Sequence, residues 1–298
     1  MKYLFKTKVK NQLMSKDNSP DNNYRILRAD CENCFGLCCV ALYFSVTEGF
    51  PIDKEAGQPC INLQENFSCS VHKNLIEQGL KGCVAFDCFG SGQKVAQVSF
   101  SGHNWRKVPE SAEQMFDVFL VMRQLHQLLW YLTEALMLEE ASSIHGEISS
   151  MLYKIEGLTY LSPNSLMELD VEKHHSNVDN LLSKTSQLVR VRTCKAENNI
   201  SVHKKRLGGR LDFIGADLRK GNLKGQNFRG AYLIASNLRG ADLSGADFLG
   251  ADLRDADLRG ANLSKSIFLT QAQINATMGD HSTKLPLSLI RPIHWEIK

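Results

Sequence analysis

Hydrophobic positions follow different spacings in successive parts of the chain, and each spacing predicts a different structure. From residue 110 to about 193, apolar residues recur every three or four positions, which places them on one face of a helix. From residue 211 to 270, one large apolar residue recurs every five positions, which matches neither a helix nor a strand. The region before residue 108 has no regular spacing. The pattern therefore predicts a helical middle followed by a repeat.

Three helices are predicted in the middle of the chain. Pro109 and Glu110 predict the start of the first, because Pro at the first helical position and an acid in the first turn are both favourable. The second is predicted over about 143–157, and the third begins at Ser162–Pro163. The first helix carries a wide apolar stripe, formed by Met115, Val118, Phe119, Met122, Leu125, Leu129, Leu132 and Leu136. We expect this stripe to pack against the preceding region or to form a dimer.

Twelve blocks of five residues make up the segment 211–270. The third position is Leu or Phe in every block, the first is small in ten, the second is Asp or Asn in ten, and the fifth is Gly in seven. A chain that turns a corner in each block can point its large and small apolar side chains inward, while Gly eases the corner. The predicted core residues are Phe213, Leu218, Leu223, Phe228, Leu233, Leu238, Leu243, Phe248, Leu253, Leu258, Leu263 and Phe268.

These blocks resemble the pentapeptide-repeat family, whose pattern is A-(D/N)-L-x-G. The resemblance implies a right-handed quadrilateral β-helix with four blocks per coil, hence about three coils, and a tail that caps the last coil. Residues one coil apart should then stack on the same face. Two such sets are an internal ladder of Phe228, Phe248 and Phe268 and an external positive column of Arg219, Arg239 and Arg259.

Eight of the nine cysteines lie between residues 31 and 88. Two thiolates separated by two residues, as at Cys31 and Cys34, can reach one metal from a tight turn. Thiolates are soft ligands that suit Zn, iron–sulfur clusters and Cu(I). The eight thiols could fill two four-ligand sites, or one cluster with spare cysteines. The candidate ligands are Cys31, Cys34, Cys38, Cys39, Cys60, Cys69, Cys83 and Cys88, with His72 as a further candidate.

The cysteine-rich region also resembles the zinc- or iron-chelating cysteine-rich domain family of bacteria. The matching motifs are Cys31-x2-Cys34 followed by Cys38–Cys39, then Pro59–Cys60 with Leu63, then Cys69 with His72, and finally Cys83 with Cys88. The resemblance implies Zn or an iron–sulfur cluster as the cofactor and leaves the choice open. Buried free thiols and redox-switch disulfides are the alternatives.

Two short motifs follow Cys88. The stretch Gly90–Gly92 lacks the Lys-Ser/Thr and the glycine spacing of a phosphate-binding loop, so we predict a turn. His103, Trp105 and Arg106 form a polar–aromatic cluster, which we interpret as structural packing.

Composition and charge narrow the classes of protein. The chain has 298 residues, is 43% hydrophobic and 22% charged, and carries a formal net charge of +3, which excludes general disorder. The segment 190–210 holds seven bases and one acid, and we interpret it as a solvated linker rather than a contact to nucleic acid or an anionic membrane. No signal-peptide pattern and no uncharged membrane-spanning stretch is present, so a cytoplasmic protein without a membrane span is predicted.

The predicted fold is a multidomain α plus β arrangement. Its parts are a polar flank (1–24), a cysteine-rich metal-type domain (25–108), a helical segment packed with it (109–193), a basic linker (194–210), a β-helix (211–275) and a C-terminal cap (276–298).

The predicted function is that of a non-catalytic interaction protein, in which a β-helix scaffold is coupled to a Zn- or Fe-binding cysteine domain. The expected partner is a protein of unknown identity. Nucleic acid is not expected, and a homodimer could form through the β-helix end or the helical face. One alternative is an iron–sulfur or thiol redox protein or enzyme component. Another is a DNA-mimic modulator of DNA gyrase, which the 7 acids and 8 bases of residues 211–270 disfavour, because mimicry needs a strongly acidic surface.

Overall fold

The computed structural model of the protein describes residues 24–193, 206–219 and 223–296. The helices are α1 Leu37–Ala41, α2 Lys81–Val84, α3 Ser91–Lys94, α4 Ala112–Met137, α5 His145–Leu158, α6 Pro163–Met167, α7 Val171–Thr193 and α8 Gln271–Asn275. Short 3-10 turns cover Arg25–Leu27, Cys31–Asn33, Val46–Glu48, His72–Asn74, Pro109–Ser111, Glu139–Ile144 and Ile293–Trp295. Strands β1 Arg206–Leu207 and β2 Arg210–Leu211 pair antiparallel. Within these ranges no helix is long and apolar enough to cross a membrane. Most of the predicted basic linker, residues 194–205, lies outside the described residues.

The predicted third helix is two helices, so the prediction of one continuous helix was wrong. The hydroxyl of Ser162 accepts the N–H of Ser165 at 3.3 Å and caps α6. The carboxylate of Asp170 accepts the N–H of Lys173 at 3.0 Å, which gives α7 an N-terminal cap of its own. A second capping residue inside an apolar pattern thus ends one helix and starts the next.

Helix α4 is the central element of the chain. It packs against α1 and α3 of the cysteine-rich region and against α5, α6 and α7. Seven of the eight residues of its predicted apolar stripe are buried, Met115 and Leu132 completely, and Leu136 is partly buried. The stripe is therefore covered within the chain, and it does not offer the dimer face that the sequence left open.

The repeat segment winds in coils of 20 residues, four blocks to a coil. Parallel bridges join positions one coil apart, as between Asp217 and Asn237 and between Asn237 and Asp257. All twelve third-position side chains are buried, with at most 6% of their surface exposed. The rings of Phe228 and Phe248 stack with centroids 5.3 Å apart.

The tail continues the last coil as a cap. Met278 and Lys284 form parallel bridges with Asp257 and Asn262, which extends the ladder beyond the repeats. The indole N–H of Trp295 donates to the carbonyl of Thr277 at 2.9 Å and fixes the tail over the coil end. Solenoids need such terminal covers, because an open end exposes core side chains and unpaired backbone groups.

The Asp or Asn at the second position of a block has a structural role that the sequence analysis missed. Its side-chain oxygen accepts the backbone N–H two residues later, as from Arg254 to Asp252 at 3.2 Å and from Ser264 to Asn262 at 3.3 Å. This is an Asx turn, which closes the corner of the coil locally. The predicted arginine column is also largely neutralised, since Arg259 pairs with Asp257 of its own block at 2.5 Å.

The last residue of a block turns the corner in the left-handed backbone region. Gly230 has φ +63°, and the exposed Ala235 adopts φ +53° at the equivalent corner of the next block. An L-residue in this region costs roughly 1–2 kcal/mol, which glycine avoids.

Exchanging the residue types at these two corners should therefore change stability in opposite directions. We expect Ala235→Gly to raise the free energy of unfolding by up to about 1 kcal/mol, and Gly230→Ala to lower it by a similar amount. Urea denaturation of both variants beside the parent protein measures this. Equal effects of the two substitutions would contradict a left-handed corner at residue 235.

The C-terminal half of α4 forms one part of the interface between the repeat and the helices. The ring of Phe268 lies edge-on to Tyr131 at 6.0 Å, and the indole N–H of Trp130 donates to the carbonyl of Leu269 at 3.4 Å. Glu134 accepts the N–H of Phe268 through Oε1 at 2.7 Å, and its buried Oε2 has no hydrogen-bond partner. Burial raises the pKa of Glu134 to about 8, the bond from Phe268 opposes the shift, and nearby Asp247 adds to it. The internal ladder of phenylalanines thus ends against α4.

Stability should depend on pH through Glu134. Its pKa in the folded chain exceeds its ordinary value of 4.5, so its contribution is full below about pH 4.5 and is lost as the pH rises through about 8. Glu134→Gln keeps the acceptor for Phe268 and removes the charge. We expect this variant to match the parent at pH 4 and to exceed it at pH 8.5 by several kcal/mol, since each pKa unit corresponds to about 1.4 kcal/mol.

Denaturation midpoints of both proteins across this pH range measure the effect. The exposed Glu139→Gln is the matched control and should leave the profile unchanged. A Glu134→Gln profile parallel to that of the parent would show that Glu134 is already ionised at the interface.

Candidate functional site: the cysteine cluster

The eight cysteines between residues 31 and 88 are free thiols. Cys38 and Cys39 lie on α1 with their sulfurs 3.8 Å apart. A cleft of about 820 Å³ opens at the cluster. Among its lining residues are Cys31, Cys34, Cys38, Cys39, Cys69 and His72. The ninth cysteine, Cys194, lies outside the described residues.

The thiols are gathered, but they are not arranged around a common centre. In the part of the chain that the structure describes, no group of three or more His, Cys, Asp or Glu side chains is positioned to hold a metal ion. The chemistry of the donors suits Zn or iron, because all of the clustered ligands are soft thiols. Their side chains would have to rotate to converge on one ion.

Two cysteines begin identical turns with the sequence Cys-Phe-Gly, at 34–36 and 88–90. In both turns Phe and Gly have positive φ, 55° and 64° in the first and 51° and 71° in the second. A left-handed Phe costs roughly 1–2 kcal/mol. Such strain tends to occur at functional sites, where the surroundings impose it. The repeated tripeptide is visible in the sequence but was not among the predicted motifs.

The turns direct backbone N–H groups toward sulfur. The donors are the N–H groups of Gly36 and Leu37 for Cys34, and those of Gly90 and Gly92 for Cys88. Further donors are Val71 and His72 for Cys69, and Asn62 for Cys60 at 3.5 Å. Hydrogen bonds of this kind favour the thiolate over the thiol. Four of the eight sulfurs thus have one or two backbone donors that favour negative charge.

Side chains from outside the turns hold both of them through their carbonyl groups. His126 of α4 donates from Nδ1 to the carbonyl of Phe89 at 2.7 Å, and the indole N–H of Trp105 donates to the carbonyl of Phe35 at 2.9 Å. Burial lowers the pKa of His126 to about 4, so the imidazole is neutral and carries its proton on Nδ1. A side chain at Gly90 would also place its Cβ 2.5 Å from the carbonyl oxygen of Ile26. The second turn therefore has little freedom to change shape.

Most of these thiols are neutral in the arrangement that the structure shows. Burial raises the pKa of Cys83 to about 12 and that of Cys88 to about 11. Cys34 and Cys39 differ. The hydrogen bond with Cys31 lowers the pKa of Cys34 to about 7, and the hydrogen bond with Cys38 lowers the pKa of Cys39. The bond with Cys34 raises the pKa of Cys31.

A buried lysine lies beside the cluster, and the sequence analysis missed it. The Lys54 side chain donates to the carbonyl oxygens of Val40 at 3.3 Å, Leu42 at 2.5 Å, Glu55 at 2.9 Å and Gln58 at 2.8 Å. Only 8% of the residue is exposed. Burial lowers the pKa of Lys54, and the neighbouring Cys60 and Cys39 oppose that shift. The ammonium therefore connects the chain after α1 to the loop that carries Cys60.

Two further expectations for this region have different outcomes. The turn predicted at Gly90–Gly92 is present at Gly90, which ends the second Cys-Phe-Gly turn, but Ser91 and Gly92 begin α3, which continues as a π-helical segment over Val95–Ser99. The Arg106 guanidinium lies 4.6 Å from the centre of the Phe67 ring and donates to the carbonyl oxygens of Gln64 and Glu65. Arg106 thus holds the loop between Cys60 and Cys69, which agrees with a packing role.

Replacing Lys54 should destabilise the protein strongly. Lys54→Met leaves buried carbonyl groups without their donor, and we expect a loss of about 3 kcal/mol or more in the free energy of unfolding. Thermal and urea denaturation of the reduced protein measure this. Lys73→Met is the matched control, because Lys73 is exposed on the same part of the chain and should have almost no effect. Equal stabilities of the two variants would contradict the role given to Lys54.

Known proteins are similar to this chain in the repeat, and one of them is similar over almost the whole chain. A family model described as pentapeptide repeats matches residues 210–245 and 231–268. The uncharacterized protein YybG of Bacillus subtilis (strain 168) is 52% identical over 276 residues, which cover 93% of this chain and 97% of that protein. A pentapeptide repeat protein of Nostoc Pcc 7120, alr5209, is 31% identical over 28% of this chain and 87% of its own, with a TM-score of 0.13.

The chain belongs to the pentapeptide-repeat family. Its similarity to the Bacillus protein covers almost its whole length, so the two share the regions before the repeats as well.

Proposed function

We propose that the protein is a non-catalytic binding protein, in which the cysteine-rich region holds Zn or iron and the repeat presents a rigid surface to a protein partner. The observation that carries the metal proposal is the set of backbone donors at Cys34, Cys60, Cys69 and Cys88. Donors of this kind stabilise metal-bound thiolates and orient them, as other groups beyond the ligands of a metal site do. Neutral buried thiols would gain little from them.

A bound metal would convert loops with little regular structure into a cross-linked unit. The cysteine-rich region is built from short helical turns, and its ligands come from loops that are far apart in the sequence. Metal sites of this kind assemble as the ion binds, and the binding free energy becomes folding free energy. The requirement that thiol side chains rotate on binding agrees with such assembly.

The helices restrict which surface of the repeat can meet a partner. Arg229 of the repeat pairs with Asp179 of α7, and Arg190 donates to the carbonyl of Gly225 at 2.7 Å, so one face is covered. The side chains of Arg219 and Arg239 are about half exposed on another face. The polar groups of the repeat lie in Asx turns and ion pairs along this surface, which suits a scaffold more than a reaction centre.

Metal analysis of protein purified without oxygen tests the proposal. We expect stoichiometric Zn in a colourless protein, or iron with sulfide and visible absorption. The same analysis of Cys194→Ser, which leaves the cluster intact, should give the same metal content. Protein that contains no metal and does not take up Zn or iron after reduction would refute the metal proposal.

A thiol redox function is the second candidate, and it is favoured by the contact between Cys31 and Cys34. Cys31 is exposed and hydrogen-bonded to Cys34. The pair could give two electrons and two protons to an external disulfide, which would be reduced to two thiols as Cys31 and Cys34 became a disulfide. A metal-free protein that forms this disulfide reversibly with oxidised glutathione would favour this candidate over the metal.

A further inference from the structure

The two Cys-Phe-Gly turns lie against each other, so that Cys34 and Cys88 are neighbours. Gly92, whose N–H donates to Cys88, also lies against Cys34: a Cβ on Gly92 would be 2.9 Å from the Cβ of Cys34 and 3.6 Å from its sulfur. Two turns of the same sequence and the same backbone conformation thus meet with their cysteines adjacent. Such a pair of turns can supply two thiolates to one metal, each with its own backbone donors.

Two more cysteines lie near Cys34 and Cys88. Cys31 lies on the 3-10 turn that leads into the first Cys-Phe-Gly turn, and it is hydrogen-bonded to Cys34. Cys38 follows Cys34 by four residues, on α1, and the charges of Cys34 and Cys88 both act on its thiol. We call Cys31, Cys34, Cys38 and Cys88 the first thiol set.

The remaining four cysteines are connected by contacts between α1 and the loops that follow it. The N–H of Cys60 donates to the carbonyl of Cys39 at 2.9 Å, and the side chains of Cys39 and Cys69 share a hydrogen bond. A bridge between Leu63 and Cys69 folds the loop back toward Cys60. The charges of Cys39, Cys60 and Cys69 all act on the thiol of Cys83. We call Cys39, Cys60, Cys69 and Cys83 the second thiol set.

The neighbouring residues Cys38 and Cys39 lie where the two thiol sets meet, with their sulfurs 3.8 Å apart. The charges of Cys34 and Cys88 act on Cys38, whereas Cys39 interacts in addition with Cys69 and Lys54. We propose that the protein has two separate four-thiolate metal sites, one formed by each thiol set, with Cys38 and Cys39 contributing to different sites. This inference rests on the proposed metal-binding function. It leaves His72 outside both sites.

The surroundings of the two sets agree with the charge of such sites. A divalent ion with four thiolates carries a net charge of −2, which must be compensated when it is partly buried. The first set has the four N–H donors of the paired turns. The second has the donors at Cys60 and Cys69 and, in addition, the buried Lys54, whose charge acts on Cys39. These donors and the lysine are in place while the thiols have still to rotate.

Cadmium binding to the full-length, reduced, metal-free protein tests the division. We expect native mass spectrometry to find two ions per chain, and cadmium-113 NMR to show two resonances of four-sulfur sites. Cys34→Ser/Cys88→Ser should lose one ion and one resonance, and Cys60→Ser/Cys69→Ser should lose the other. Cys194→Ser should keep both and serves as the matched control.

The outcomes separate this inference from the function on which it rests. One ion per chain in the parent protein, or loss of both resonances in each double variant, would overturn the division while metal binding stands. Parent protein that binds no cadmium would overturn the proposed function as well. The surviving resonance of each double variant reports that the rest of the cysteine-rich region is folded. Where a double variant does not fold, Cys31→Ser and Cys83→Ser test the same two sites with single changes.

Discussion

Buried backbone N–H and C=O groups outside helices and strands still need hydrogen-bond partners. Side chains of helix α4 supply such partners both to the cysteine cluster and to the end of the repeat. Toward the cysteine cluster, His126 donates to the carbonyl of Phe89, which follows Cys88 in a strained turn. Toward the repeat, Glu134 accepts the N–H of Phe268 and Trp130 donates to Leu269. Without this helix, neither the second Cys-Phe-Gly turn nor the last repeat block would have its buried backbone groups paired.

This arrangement joins regions that the sequence separates into domains. The buried apolar residues form one cluster that runs from Tyr24 through the helices to Trp295. His126 and Glu134 are eight residues apart on the same helix, about 12 Å along its axis. The thiols and the end of the repeat are therefore linked by one packed element, and the repeat is better described as docked on the helices than as attached by a flexible linker.

The parts that were predictable from the sequence are those whose partners lie nearby in the chain. The five-residue period places each large side chain of the repeat inside by local geometry, and the stripe on α4 follows the helical period. Lys54, Glu134 and the Asx turns were missed for different reasons. An isolated Lys or Glu shows no sign of burial in sequence, because its burial depends on carbonyl or N–H groups supplied from elsewhere in the chain. Asp and Asn in the repeat look like surface residues until their bonds to the backbone are visible.

The cysteine cluster was likewise only partly predictable from the sequence. Cysteine spacing alone could not assign the eight thiols to two separate sites, because the assignment depends on the groups that surround each sulfur in the folded chain. In the structure the backbone is arranged for thiolates, with N–H donors at four cysteines, while burial keeps Cys83 and Cys88 as neutral thiols. A divalent ion at the proposed sites would resolve this conflict, because it would replace the protons and offset the charge that burial disfavours. Desolvation keeps these thiols neutral when no ion is bound. In the proposed sites the same desolvation would therefore favour the metal-bound state over free thiolates.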